Sequence, residues 1–203
     1  MVEQLLAQAI QHANAGRREQ AKALCEQALA QQALHPAPHQ LLAVLCLQER
    51  DVAGARRHIH ASLALRPDHP PSLMTAADAA RAAGDTAAAS AHLTRLVGLV
   101  PAHAEAWFQL ALVRQDIGEL EAAVDALNQV LSVMPQRVEA WVNLGIVQQE
   151  LGRIDAAMRA YGRAYRLRET SFGRIAHALA AAPHGRLWLN LGELRACLAG
   201  APD

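Results

Sequence analysis

A register of thirty-four residues constrains this sequence more than any other feature. Trp107 and Trp141, Leu110 and Leu144, Gly118 and Gly152, and Ala123 and Ala157 all recur at that interval. Run backwards, the frame finds Leu73, Ala77, Gly84, Ala89 and Leu93 in a copy that starts at Pro70, with Pro101 closing it as Pro135 closes the next. A copy from Pro36 keeps Leu42, Ala43, Ala55, Ile59 and Pro67 but has Arg50 in place of the turn glycine. The first, from Val2, keeps Leu5, Ala9, Gly16, Ala21 and Ala28 and lacks the closing proline. A register held over whole copies means units that stack, each finishing its neighbour's core.

Five copies therefore occupy 2–35, 36–69, 70–103, 104–137 and 138–171 without an insertion. Each reads as two antiparallel helices. Ala43, Ala77, Ala111 and Gly145 stand where the first helix crosses the second, and Ala55, Ala89, Ala123 and Ala157 face them, because larger side chains would push the axes apart. The glycines close the first helix in a left-handed conformation and the prolines end the second. This pattern resembles the tetratricopeptide repeat. The resemblance implies an all-α fold, a right-handed superhelical solenoid of antiparallel helix pairs.

Beyond residue 171 the pattern degrades. Ser171 is placed to cap a helix from Phe172 to about Ala182, and Pro183, His184 and Gly185 then force a turn. Asn190 and Glu193 make a capping-box-like start for a last helix ending at Gly200. Terminal repeats need a cover for their open apolar face, so 172–203 reads as a cap with Trp188 as its largest packing group. Alternatively, Leu187, Leu191, Leu194 and Leu198 form a stripe for a second subunit.

Composition excludes several functions. Aromatic residues are only 3% of the chain, so the core is built from Ala and Leu. Lys+Arg equals Asp+Glu at 19 each, which removes the basic footprint of a nucleic-acid binder. Residues 1–10 carry Glu3 and Gln4 rather than a basic leader, and no apolar run is long enough for membrane insertion, so a cytoplasmic location is expected. Cys25, Cys46 and Cys197 are too scattered for a disulfide framework and read as free thiols. His35, His69 and His103 share the last position of successive copies, a helix spacing apart, which is too wide for one metal; they read as loop residues before the next helix. No nucleophile elbow, phosphate loop or dinucleotide fingerprint occurs. Neither an enzyme, nor a metal, nor a cofactor is expected.

Function must then lie on a surface. In the family this sequence resembles, the first helices line a concave groove. The matching positions assign to that groove Gln40, Val44, Met74, Asp78, Arg81, Phe108, Gln109, Leu112, Gln115, Asn143, Ile146 and Gln149. Apolar centres with amide edges suit a protein or peptide with apolar anchors whose backbone the amides hold. The carboxylate clamp of chaperone-binding relatives is not supported, since the first helices of the first two copies contain no Lys or Arg. The asparagine ladder of glycosyltransferase-linked relatives survives only at Asn143, with Ala7, Leu41, Thr75 and Gln109 elsewhere. Arg159, Arg163 and Arg166, with Glu121 and Asp125 one copy earlier, read as a solvated convex face whose charges pair between neighbours. The expected function is a non-catalytic peptide-binding scaffold. Two alternatives stay open: a regulatory or substrate-docking module for a sulfotransferase or glycosyltransferase, and a self-assembling homo-oligomer.

Overall fold

The computed structural model describes residues 1–180 and 191–201, and among these the chain is helical with no strand. It divides into two compact units, Met1–Pro101 and Ala102–Asp203.

The first unit contains α1 (Val2–Asn14), α2 (Arg18–Gln31), α3 (Pro36–Gln48), α4 (Val52–Leu65), α5 (Pro70–Ala82) and α6 (Thr86–Leu99). Consecutive helices pair, and α2 and α4 each pack on the first helix of the next pair as well. Within this unit α1, α3 and α5 approach one another more closely than α2, α4 and α6 do, so the first helices form its inner layer. Side-chain size is the cause. Ala9, Ala43 and Ala77 on the first helices, and Ala21, Ala55 and Ala89 on the second, are fully buried at the crossings.

Punctuation follows from the backbone. A proline drives its predecessor out of the helical region, and Arg66 (φ −144, ψ 90) and Val100 (φ −131, ψ 79) leave the helix ahead of Pro67 and Pro101. Gly16 (φ 73) and Gly84 (φ 74) turn the chain between paired helices, and Arg50 takes the same left-handed conformation at φ 63. Asp51 accepts from the Gly54 amide at 2.8 Å and Asp85 from the Ala88 amide at 3.0 Å, which starts α4 and α6.

Histidines hold the first unit together at several points. His35 Nδ1 accepts from the Ala37 amide at 3.3 Å and so caps α3. His69 Nδ1 lies 2.6 Å from Ser72 Oγ, Ser72 Oγ 2.7 Å from Ser62 Oγ, and Ser62 donates to the Pro36 carbonyl at 2.8 Å. Each hydroxyl has one proton, so the donors run from the imidazole through both serines to that carbonyl, linking α3, α4 and α5. His39 and His58 meet Nδ1 to Nδ1 at 3.4 Å between α3 and α4. Desolvation is the leading reason that His39, His58, His69 and His92 all titrate below the ordinary 6.5.

The second unit contains α7 (Ala104–Asp116), α8 (Leu120–Val133), α9 (Val138–Glu150), α10 (Ile154–Leu167), a single 3-10 turn (Glu169–Ser171), α11 (Phe172–Ala180) and α12 (Leu191–Gly200). α7 pairs with α8 and α9 with α10, while α12 lies against α10 and α11 beside α9. Ile175, Leu179, Leu194 and Leu198 are buried in one cluster with Val142, Ala157 and Tyr161. Gly162 permits this close approach: a Cβ there would meet the Leu198 carbonyl oxygen at 2.8 Å. Arg166 donates to the Ala201 carbonyl at 2.6 Å and closes the C-terminal end of α12.

Several expectations change here. Ser171 does not cap α11; it ends the 3-10 turn, and its hydroxyl finds no partner among the described residues. Glu121 pairs with Arg153, whose Nη1 lies 2.9 Å from its carboxylate, rather than with the arginines of α10, and Arg166 serves α12 instead of a solvated face. Leu194 and Leu198 are consumed inside the chain, leaving Leu191 exposed. The expected turn at Pro183, His184 and Gly185, the packing of Trp188, the Asn190 cap and Leu187 lie outside the described residues.

Two predictions follow from this packing. Arg50→Gly removes a left-handed side-chain penalty and should stabilise the chain by about 1 kcal/mol, read as a higher urea midpoint. Because the four shifted histidines titrate lower when folded, the unfolded chain binds more protons below its own pKa. Stability should therefore fall as pH drops through about 6.5 towards the lowered folded values. Hydrogen exchange at pH 7.5 and about pH 5 should show α3 to α6 losing protection, and His→Asn changes at these positions should flatten the effect.

Candidate functional site

On the inner layer of the first unit, Gln40 is half-buried on α3 and donates from Nε2 to Thr75 Oγ1 on α5 at 3.0 Å. Thr75 is 4% exposed and passes its own proton to the Pro71 carbonyl at 3.0 Å. Gln40 therefore ties adjacent first helices together. Val44 and Met74 are half-buried apolar groups on the same helices, Asp78 is half-buried, and Arg81 is exposed near the end of α5. A surface of this kind offers aliphatic contact flanked by polar groups.

In the second unit Phe108, Gln109, Leu112 and Gln115 are all half-buried along α7. The Arg137 guanidinium sits 4.0 Å above the Phe108 ring and pairs with Glu105 at 2.7 Å. One ring face is thus occupied. Gln115 donates from Nε2 to Glu150 Oε1 at 2.7 Å, joining α7 to α9. Glu139, at the start of α9, has its pKa lowered, first by a hydrogen bond from its own backbone amide and further by Arg168.

Three expected groove residues are drawn into packing by the tail. Gln149 is 6% exposed; its Nε2 donates to the Ala178 carbonyl of α11 at 2.8 Å, and its Oε1 accepts from the Tyr161 hydroxyl at 3.1 Å. Asn143 is 8% exposed and is approached at 3.5 Å by Arg174, also on α11. Ile146 packs against the cluster formed with α11 and α12. Of the twelve assigned residues, these three have α11 or its cluster as their neighbour.

Among the described residues, no group of three or more His, Cys, Asp and Glu side chains converges as metal ligands. Among the described residues no helix is long and apolar enough to cross a membrane. Cys25 is buried and its thiol is pushed up to about 11, mainly by desolvation, which keeps it protonated and unreactive at neutral pH.

A tetratricopeptide repeat family model matches residues 74–131 and again 108–173. The chain is a tetratricopeptide repeat protein. No curated protein sequence matches it. Solved structures resemble it closely in fold at low identity. A MamA protein aligns with TM-score 0.74 and 18% identity over 90% of this chain and 98% of its own. YrrB, described as a tetratricopeptide protein with an unusual peptide-binding site, aligns with TM-score 0.77 and 16% identity over 87% of this chain and 91% of its own. MamA from Desulfovibrio magneticus RS-1 gives TM-score 0.75 and 17% identity over 83% and 96%.

Seen as a tetratricopeptide chain, its departures from the repeat pattern have local causes. Gly145 takes the crossing position that is Ala9, Ala43, Ala77 and Ala111 in the other repeats, because a Cβ there would run into the Tyr161 ring. Tyr161 in turn stands where the others have Cys25, Ile59, Leu93 and Leu127. Its hydroxyl holds Gln149, and burial is the main cause that raises its pKa strongly. Gly162 replaces Glu26, His60, Thr94 and Asn128, which is the sequence signal that another segment packs on α10. His103, like His35, is a cap: its Nδ1 accepts from the Ala106 amide at 3.2 Å.

Gln149→Ala should strand the Tyr161 hydroxyl and the Ala178 carbonyl and cost about 1–3 kcal/mol. Hydrogen exchange should show faster opening of α11, with α7 and α8 little changed.

Proposed function

We propose that this protein is a non-catalytic scaffold that binds a peptide segment of a partner protein on the face of its first helices. The observation that supports this most is the half-buried, partly open state of Val44, Met74, Phe108 and Leu112 on three first helices, bordered by amide and charged groups. Apolar side chains left open in this way gain by covering, and a peptide with aliphatic or aromatic anchors covers them. In the first unit Asp78 and Arg81 share α5 with Met74, and in the second Gln109 shares α7 with Phe108 and Leu112. Asn143, Ile146 and Gln149 act chiefly in holding the tail. The peptide-binding site named for YrrB is in keeping with this reading, at an identity that carries fold rather than ligand.

The reading calls for no cofactor, and the balance of 19 basic and 19 acidic residues gives nucleic acid no general hold. A peptide-display selection on the intact chain tests it. Selected peptides should contain aliphatic or aromatic residues, and Met74→Ala or Phe108→Ala should each weaken binding about tenfold, equivalent to about 1.4 kcal/mol, with helicity retained. Titration calorimetry reads the affinity and circular dichroism the helicity. Unchanged affinity in both variants would remove the first-helix face from the function.

A further inference from the structure

On the opposite side of the first unit, a slot of about 640 Å³ opens between α4, α5 and α6. Its size has a cause in the repeat register. At the position where the second, fourth and fifth repeats carry Leu42, Leu110 and Leu144, the third carries Ala76, and where the fourth and fifth carry Trp107 and Trp141 it carries Leu73. In the fifth repeat, where Trp141 and Leu144 are present, the recess between α9 and α10 is about 380 Å³ and has no lining from α8. Removing side-chain volume without bringing α4 and α6 together leaves a recess whose floor, Ile59, Leu73 and Ala76, is itself buried, with Leu63 half-buried and Ala64 exposed along its wall.

The rim of this slot is basic although the whole chain is neutral. Neither α4 nor α6 contains an Asp or a Glu, while α4 supplies Arg56, Arg57 and His60 and α6 supplies His92 and Arg95. The acids nearby already have partners: Asp85 caps α6 through the Ala88 amide, and Asp68 holds Arg95 at 2.7 Å. Arg56 and Arg57 are exposed, and no ion pair engages them among the described residues. A ligand carboxylate placed over the floor therefore meets two uncommitted guanidinium groups.

We infer that this slot is a second recognition site, taking an amphipathic acidic helix whose aliphatic face fills the space over Ala76 and whose carboxylates pair with Arg56 and Arg57. Two helices flanking a third give the helix-in-groove arrangement, and the complementary charges select an acidic partner over a neutral one. The partner differs in kind from the peptide of the first-helix face, where apolar anchors and amides lead. One scaffold thereby holds two segments of unlike chemistry on opposite sides of the same helix pairs.

Fluorescence anisotropy with the intact chain tests the site. The probe is a labelled synthetic helix of about fourteen residues with Leu at i, i+3 and i+7 and Glu flanking them, beside a control with Gln for Glu. The acidic probe should bind and weaken with added salt, and the Gln control should bind at least tenfold less tightly. Arg56→Glu with Arg57→Glu, both on exposed side chains, should abolish binding. Ala76→Leu, which installs the residue of three other repeats, should weaken it at least tenfold. Thermal unfolding of each variant confirms that the fold persists. Absence of binding to the unaltered chain overturns the site, as does equal binding to the charge-reversed chain. Loss of the probe in Met74→Ala with retention in the slot variants would move it to the first-helix face and overturn the slot as well.

Discussion

The close crossing of paired helices over small side chains is the interaction on which everything else in this protein depends. Ala9, Ala43, Ala77 and Ala111 on the first helices and Ala21, Ala55, Ala89 and Ala123 on the second are all 0 or 1% exposed, so the pairs close over side chains of minimal size. A pair held at that distance cannot bury its own outer faces, so it needs a neighbour. The fifth pair obeys the same constraint by another route, in which Gly145 yields the volume that Tyr161 takes. From the second pair to the fifth the summed volume there is nearly constant, Ala with Ile or Leu and then Gly with Tyr, while Ala9 with Cys25 is smaller.

That volume rule also explains where surface function can arise. Ala76 breaks it away from the crossing, on the side that meets the preceding second helix, and the loss appears as open space rather than collapse. Helix axes are fixed by the crossings, so a missing leucine elsewhere cannot be compensated by moving α4 towards α6. The inner layer behaves differently, because there the first helices are joined side to side by polar groups such as Gln40 with Thr75 and Gln115 with Glu150. The recognition proposed for the first-helix face would thus be built on a surface already partly engaged with itself.

Much of this was legible in the sequence, and the rest was not for identifiable reasons. Helix pairs, left-handed glycines, closing prolines and buried alanines are each fixed by one residue type at one interval, and the periodicity exposed them. Arg50 at φ 63 shows the register overriding the residue. The groove positions were read from the same register, but the register does not say what the residues after 171 will cover. Gln149 and Asn143 look like free amides until α11 arrives. Gly162, at a place where four other repeats carry an exposed polar residue, held the missing information. The histidine caps at His35 and His103 were not legible because an imidazole is an uncommon acceptor for a helix start.

The contact of α12 with α10 gives the array a direction. Gly162 and Arg166 fasten α12 over the surface on which a sixth helix pair would have stacked, using backbone carbonyls that no incoming repeat would supply in that place. A further helix pair could stack on α10 only after α12 had been displaced, so the cap and any elongation past it compete for one surface.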